Sequence, residues 1–261
     1  MNIRLRLFAV ALAVDASLFA YGARAENDDP ILAETSQEKG TDAKPFKWTN
    51  GIYRFAPSRG GGGNASYGYD TNLRHHSTIG SVWAGLYHGQ DSASAWRLGW
   101  DRAFDLGWPR ITPSVQLAQG GFIGSSILLE AGEPWFVATG LGRTNLRPYV
   151  NLNFDPNDAI TYAVGRRLES GEVLALQMIR DNRQNPGDRH IHLYWRQPTG
   201  GKDRLTVDVL FKQGTVNDER FRRIGLALTY DWPIITLRIA WDPKVNFTPE
   251  NQVRASIGWR L

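Results

Sequence analysis

The chain has 261 residues, 42% of them apolar and 21% charged, with a formal net charge of +4 and no cysteine. Lack of cysteine excludes a disulfide framework and any thiolate metal site. No segment beyond residue 25 is apolar over the roughly 18 to 20 residues that a spanning helix needs, so a helical membrane anchor is excluded as well.

Residues 1–25 read as an export signal. Arg4 and Arg6 form a basic start, Leu7 to Val14 a short apolar core that Asp15 ends, and Ala23-Arg24-Ala25 a small-x-small cleavage site. Removing this segment takes away Arg4, Arg6, Arg24 and Asp15 and lowers the formal net charge from +4 to +2. No Lys/Arg-rich run remains afterwards, so nucleic acid is not an expected partner. Residues 26–47 are polar, acidic and aperiodic, as expected of a periplasmic leader preceding a domain over 48–261.

From Trp48 onward the chain alternates with a period of two. Thr49 to Ala56 and the set Tyr67, Tyr69, Thr71, Leu73 open the series. Segments 79–88, 96–101 and 111–118 follow, then 122–131, 134–143, 158–167 and 172–180. Further along, Ile191, Leu193 and Trp195 alternate with histidines, Tyr194 and Arg196, and Leu205 to Phe211 and Ile224 to Tyr230 alternate similarly. Ile235, Leu237, Ile239 and Trp241 then face away from Thr236, Arg238 and Asp242. Val253, Ala255, Ile257, Trp259 and Leu261 end the chain against Gln252, Arg254, Ser256 and Arg260. Successive side chains on a strand point to opposite faces, so each segment has one greasy face and one polar face. About ten residues is the length of a tilted strand crossing a hydrocarbon layer. The fold expected is all-β, an antiparallel transmembrane β-barrel of 14 strands, or of 12 if one weaker segment is irregular.

A soluble barrel alternates too, and stays open as a third reading. Against it, the non-greasy face mixes Arg and Asp with many glycines, a composition suited to a lumen. Short joins such as 132–134, 169–172 and 231–233 alternate with longer ones at 142–158, 181–189, 213–223 and 242–251. Trp108, Trp135 and Trp232 each sit beside a proline in a short join, as one half of an aromatic girdle would require. "NLNFDPNDAI" (151–160) and "KVNFTPENQV" (244–253) repeat one phrase. Its proline cannot donate to a ladder and belongs just before pairing begins, so both copies read as starts of descending strands. Phe154 and Phe247 are then expected at the opposite rim.

"VRASIGWRL" (253–261) resembles the closing strand of bacterial outer-membrane β-barrel proteins, although Leu261 stands where that family usually has Phe or Trp. The resemblance implies location in the cell outer membrane, contact with its lipid, and recognition by the barrel-assembly machinery through the last strand. It names an architecture and no substrate, and oligomeric state is not set by it.

Candidate chemistry is sparse. His75-x-Ser77 resembles the spacing that outer-membrane phospholipases and lipid A deacylases use to activate a serine, yet no orienting residue is evident. His190-x-His192 lacks a third metal ligand, and Asp155, Asn157 and Asp158 lack the glycine and spacing of an EF-hand, so no metal and no cofactor are expected. Asp70 and Arg74, Arg97 and Asp101, Asp208 and Lys212, and Arg238 and Asp242 share faces as lumen charges. The ring expected nearer the periplasm, Arg74, Asp101, Asp208 and Arg238, cancels in sign, which suits neutralisation inside a narrow lumen rather than strong ion selectivity. The reading is a non-enzymatic barrel, either a narrow pore for small polar solutes or a structural envelope protein. A lipid hydrolase using His75 and Ser77 is the alternative.

Overall fold

The computed structural model describes residues 44–57, 64–90, 94–147 and 158–261. The export signal, most of the leader, and Phe154, Asp155 and Asn157 lie outside these residues. Fourteen antiparallel strands close a barrel. They are β1 (Phe46–Pro57), β2 (Ser66–Ser77), β3 (Gly80–Gly89), β4 (Ala95–Asp101), β5 (Arg110–Ala118), β6 (Phe122–Ala131) and β7 (Trp135–Thr144). Then come β8 (Ala159–Arg167), β9 (Val173–Asp181), β10 (Arg189–Gly200), β11 (Asp203–Val216), β12 (Glu219–Asp231), β13 (Ile235–Asp242) and β14 (Glu250–Arg260). A two-residue ribbon, Phe104–Asp105, adds to β5 beside the β4–β5 pairing.

The first strand begins at Phe46, two residues before the boundary expected at Trp48. It closes the ring against the last strand, with registered pairs from Lys47↔Arg260 to Pro57↔Glu250. Phe46 N–H donates to the Leu261 carbonyl and Leu261 N–H to that of Phe46, so the two ends of the described chain are tied at one end of the barrel. That terminal end holds the joins at 78–79, 102–109, 132–134, 168–172, 201–202 and 232–234. At the opposite, loop end lie the described joins 119–121, 182–188, 217–218 and 243–249.

One join differs from expectation. The polar stretch 213–223 is not a long loop: β11 and β12 run through it, paired as far as Val216↔Glu219. Asn217 and Asp218 both have positive φ, at 51° and 66°, which a two-residue hairpin turn requires and which Asn and Asp tolerate. Polar residues therefore continue this ladder beyond the apolar stretch.

Polarity is inverted relative to a water-soluble domain. On β14 the alternation buries Gln252, Arg254 and Ser256 and leaves Val253 and Ala255 exposed. Large apolar residues such as Ile52, Leu86, Leu174, Ile224 and Ile239 are more than half exposed, while Lys212, Arg97, Arg74 and Gln116 are at most 2% exposed. Inside, bulky rings lie over glycines of the next strand. A Cβ built on Gly99 would stand 2.2 Å from Trp83 Cζ2, so the indole occupies the place a side chain on β4 would take. Gly99→Ala should displace that ring and destabilise the barrel by about 1–3 kcal/mol, the usual cost of overpacking. The urea midpoint in detergent micelles reads this, and an unchanged midpoint would contradict the packing.

Candidate functional site in the barrel interior

The expected lumen charges all lie on strands whose alternation points them inward. Residues four apart on one strand are about 13 Å apart, too far for direct contact. The contacts formed run across the sheet instead. Arg97 Nη2 on β4 donates to Asp70 Oδ1 on β2 at 2.6 Å, and Arg74 Nη1 on β2 to Asp101 Oδ1 on β4 at 3.0 Å. Each bridge passes over β3, a span of about 10 Å between backbones that only a long side chain closes. Gly85 opens the way for the first: its Cβ would meet Arg97 Nη2 at 3.1 Å and Asn72 Nδ2 at 2.9 Å.

The same two-strand reach recurs. Arg167 Nη2 on β8 donates to both Glu130 carboxylate oxygens on β6, at 3.0 and 3.1 Å, while its guanidinium covers the Phe136 ring on β7. Lys212 Nζ on β11 donates to both oxygens of Asp242 on β13, at 2.7 Å to Oδ2, and to the Lys244 carbonyl at 3.3 Å. Asp208 is engaged instead by its neighbour on β10, with His192 Nδ1 at 3.0 Å from Oδ1. Arg74 and Asp101 thus pair with each other and Asp208 with His192, so the four residues expected as one ring are divided among separate contacts. Arg238 lies half-buried on the lumen face, in register with Thr229 and Ser256.

At the loop end the interior is narrowed by the β13–β14 connection. Lys244, Asn246 and Phe247 have φ of 54°, 49° and 57°, left-handed positions that reverse the chain. Phe247 is therefore not at the lipid rim where the repeated phrase placed it. Its ring stacks on His190 with centroids 5.0 Å apart, lies beside Phe221 and Lys212, and fills the space above Gly214, where a Cβ would be 2.5 Å from Cδ1. Asp188 lies under this cluster, accepting from Thr215 N–H, and burial pushes its carboxyl above the ordinary range.

Asp158, fully buried, ties the next two joins together. It accepts from Thr144 N–H at 2.9 Å and from Arg183 Nη1 at 3.3 Å, and its carbonyl accepts from Asn182 N–H at 3.0 Å. It is a strut between joins; Asp155 and Asn157, grouped with it in the sequence, lie outside the described residues. Among the described residues no group of three or more metal-ligating side chains is present.

His75 and Ser77 share the outward parity of Leu73 at the terminal end of β2. Ser77 Oγ donates to the Gly80 carbonyl at 3.0 Å, and His75 lies against Phe46 with ring centroids 4.6 Å apart and planes tilted by 31°. No hydrogen bond joins the two among the described residues, so the pair is not assembled as base and nucleophile. Trp108, Trp135 and Trp232 all lie at the terminal end, exposed by 75%, 62% and 38%.

Glu130 and Arg167 escaped the reading by strand parity. Glu130 and Arg167 become partners only through the register of three strands, Glu130↔Ala138 and Trp135↔Arg166 among them, and no spacing within one strand signals that.

The barrel is similar to the crystal structure of the outer membrane protein Omp33 of Acinetobacter baumannii, with a TM-score of 0.50 and 8% identity over 84% of this chain and 99% of that one. The KdgM porin gives a TM-score of 0.46 at 9% identity, covering 82% of this chain and 99% of that one. The NanC porin gives 0.43 at 12% identity, covering 82% and 100%. No protein-family model and no curated protein matches the chain. The chain has the closed antiparallel barrel fold of bacterial outer-membrane proteins, at the level of architecture and without a subfamily.

Proposed function

We propose that this protein is a barrel of the outer membrane that passes small polar solutes through a narrow lumen. The observation that carries the reading is the inverted polarity: exposed Leu, Ile, Val and Trp outside, and buried, paired charges inside. Such a wall is at home in hydrocarbon, where the closed sheet satisfies every strand and apolar side chains meet lipid. The exposed tryptophans at the terminal end, together with Tyr67, Tyr69, Trp96 and Trp241 toward the loop end, suit two interfacial belts. The outer-membrane name of Omp33 adds support for the location. Export through residues 1–25 and insertion by the barrel-assembly machinery through β14 belong to the same reading, with the terminal end facing the periplasm.

Barrels of about eight strands are filled by their own side chains, whereas those of about 16 to 18 leave an aqueous channel. Fourteen strands lie between, and the Phe247 connection and the inward charged side chains along the wall reduce the bore further. Charges neutralised in pairs, as in Asp70–Arg97, Arg74–Asp101 and Lys212–Asp242, add little net field by which to select ions by sign.

Single-channel recording in a planar bilayer should therefore show a small conductance with weak ion selectivity. Phe247→Ala should raise the conductance severalfold by clearing the loop-end constriction. A folded, inserted protein that stays silent in both forms would rule out the pore.

The Lys212–Asp242 pair gives a second test. Asp242→Asn leaves a buried ammonium without its counter-charge, a loss of about 3–5 kcal/mol by analogy with other broken buried pairs. The double variant Lys212→Met/Asp242→Leu should recover most of the unfolding midpoint, because it removes both charges. Equal midpoints for wild type and the single variant would show that the pair carries no such load.

A further inference from the structure

At the loop end of β9 to β12 the outer face changes abruptly from apolar to cationic. Met178↔Ile191, Ile191↔Phe211 and Phe211↔Ile224 form one outward row across the four strands. Two residues nearer the loops, Arg180↔Arg189, Arg189↔Gln213 and Gln213↔Arg222 form the next. Arg220, opposite Thr215, stands one step higher. The interleaved residues Ile179, Asp181, His190, Lys212 and Phe221 are buried on the lumen side, so the arginines point away from the barrel. Arg180, Arg220 and Arg222 are exposed and Arg189 is half-buried.

None of the four forms an ion pair with another described residue. The nearby carboxylates Asp181, Asp188 and Asp242 are buried on the other side of the wall, and the exposed Asp218 and Glu219 sit beyond the row at the hairpin tip. Arg180 and Arg189 face each other directly across a strand pair, an arrangement that costs stability unless an anion lies between them. Guanidinium groups just above an apolar band reach phosphoryl oxygens bidentately while their stems lie along the lipid.

The spacing narrows the anion further. Arg189 and Arg222 are two strands apart, about 10 Å. A headgroup with one phosphoryl engages a single end of the row. A sugar carrying a phosphoryl at each end engages both, with Gln213 and Thr215 between them to bond its hydroxyls. We propose that this face docks the headgroup of a bisphosphorylated glycolipid in the leaflet at the loop end, one phosphoryl between Arg180 and Arg189 and the other against Arg220 and Arg222. The proposal rests on the reading that the apolar band is immersed in the outer membrane with the loop end outward.

The test uses the full mature chain in non-ionic micelles, titrated with bisphosphorylated lipid A, its monophosphorylated form and phosphatidylglycerol, with bound lipid counted by native mass spectrometry. Wild type should retain the bisphosphorylated glycolipid about tenfold more tightly than either competitor, a difference near 1.4 kcal/mol. Arg180→Gln/Arg189→Gln/Arg222→Gln should abolish that preference. Arg189→Gln and Arg222→Gln alone should each weaken it severalfold, and they carry the test if the triple variant does not fold. Equal retention of all three lipids, or the same preference in wild type and variants, overturns the site. Insertion of the wild type into phosphatidylcholine vesicles is scored alongside: failure there removes the membrane reading itself, whereas insertion without lipid preference removes only the docking surface.

Discussion

Closure of the sheet is the constraint on which everything else depends. A strand edge left open on an apolar wall would expose a row of unpaired N–H and C=O groups, which in water templates pairing with another chain and in hydrocarbon finds no partner at all. The β1–β14 seam, paired from Lys47↔Arg260 to Pro57↔Glu250, removes that edge, and the Phe46–Leu261 bonds finish it at the terminal end. The seam fixes alternation as well as pairing. Once β1 and β14 are in register, the side-chain period of two decides which residues of every strand meet the outside. Trp48 and Trp259, opposite each other across the seam, then stand outward together, while Lys47 and Arg254 turn in.

Turning the charged face inward creates a problem that a water-soluble barrel does not have. Charges such as Arg97, Arg74 and Lys212 are nearly inaccessible to water and have to be neutralised locally. Neighbouring strands supply a counter-charge to Asp208, from His192, and to Glu130, from Arg110, but Asp70, Arg97, Asp101 and Asp242 have no charged residue in register beside them. Bridges that skip a strand solve this: the Asp70–Arg97, Arg74–Asp101, Glu130–Arg167 and Lys212–Asp242 contacts each tie two strands across a third. Glycine is the structural partner of this device. Where the intervening residue has no side chain, as at Gly85, a guanidinium passes, and where the neighbour is an aromatic, as with Trp83 over Gly99, the ring takes the room. Abundant glycine on the polar face thus reflects crowding inside the barrel and not loose turns.

Strand identity was legible because the period of two survives every local irregularity, and the last strand, with apolar residues from Val253 to Leu261, carried it most plainly. All fourteen expected segments are strands. Two kinds of feature were not legible. The first is where a ladder stops: Thr215 to Arg220 looks like a polar loop, since strand residues above an apolar band are as hydrophilic as loop residues, and only the positive φ of Asn217 and Asp218 marks the turn. The second is anything set by register. Phe247 carries the same local phrase as Phe154, yet its left-handed backbone and the vacancy above Gly214 turn it inward onto His190. The ion pairs belong to this kind too, because their partners lie on different strands whose offset no single strand encodes.

These two features meet at one place. The hairpin that continues past its apolar residues on β11 and β12 raises Arg220 and Arg222 on its outer side and Phe221 on its inner side. The inner side packs against Phe247 and helps narrow the lumen, while the outer side carries the cationic row. Alternation along Glu219 to Ile224 therefore gives one stretch of chain two different faces. A shorter hairpin with a conventional loop would lose both, because Phe221 and its flanking arginines are held in opposite directions only as long as the ladder persists to Val216↔Glu219. The extended pairing that the sequence concealed is what couples the constriction within the barrel to the charge on its rim.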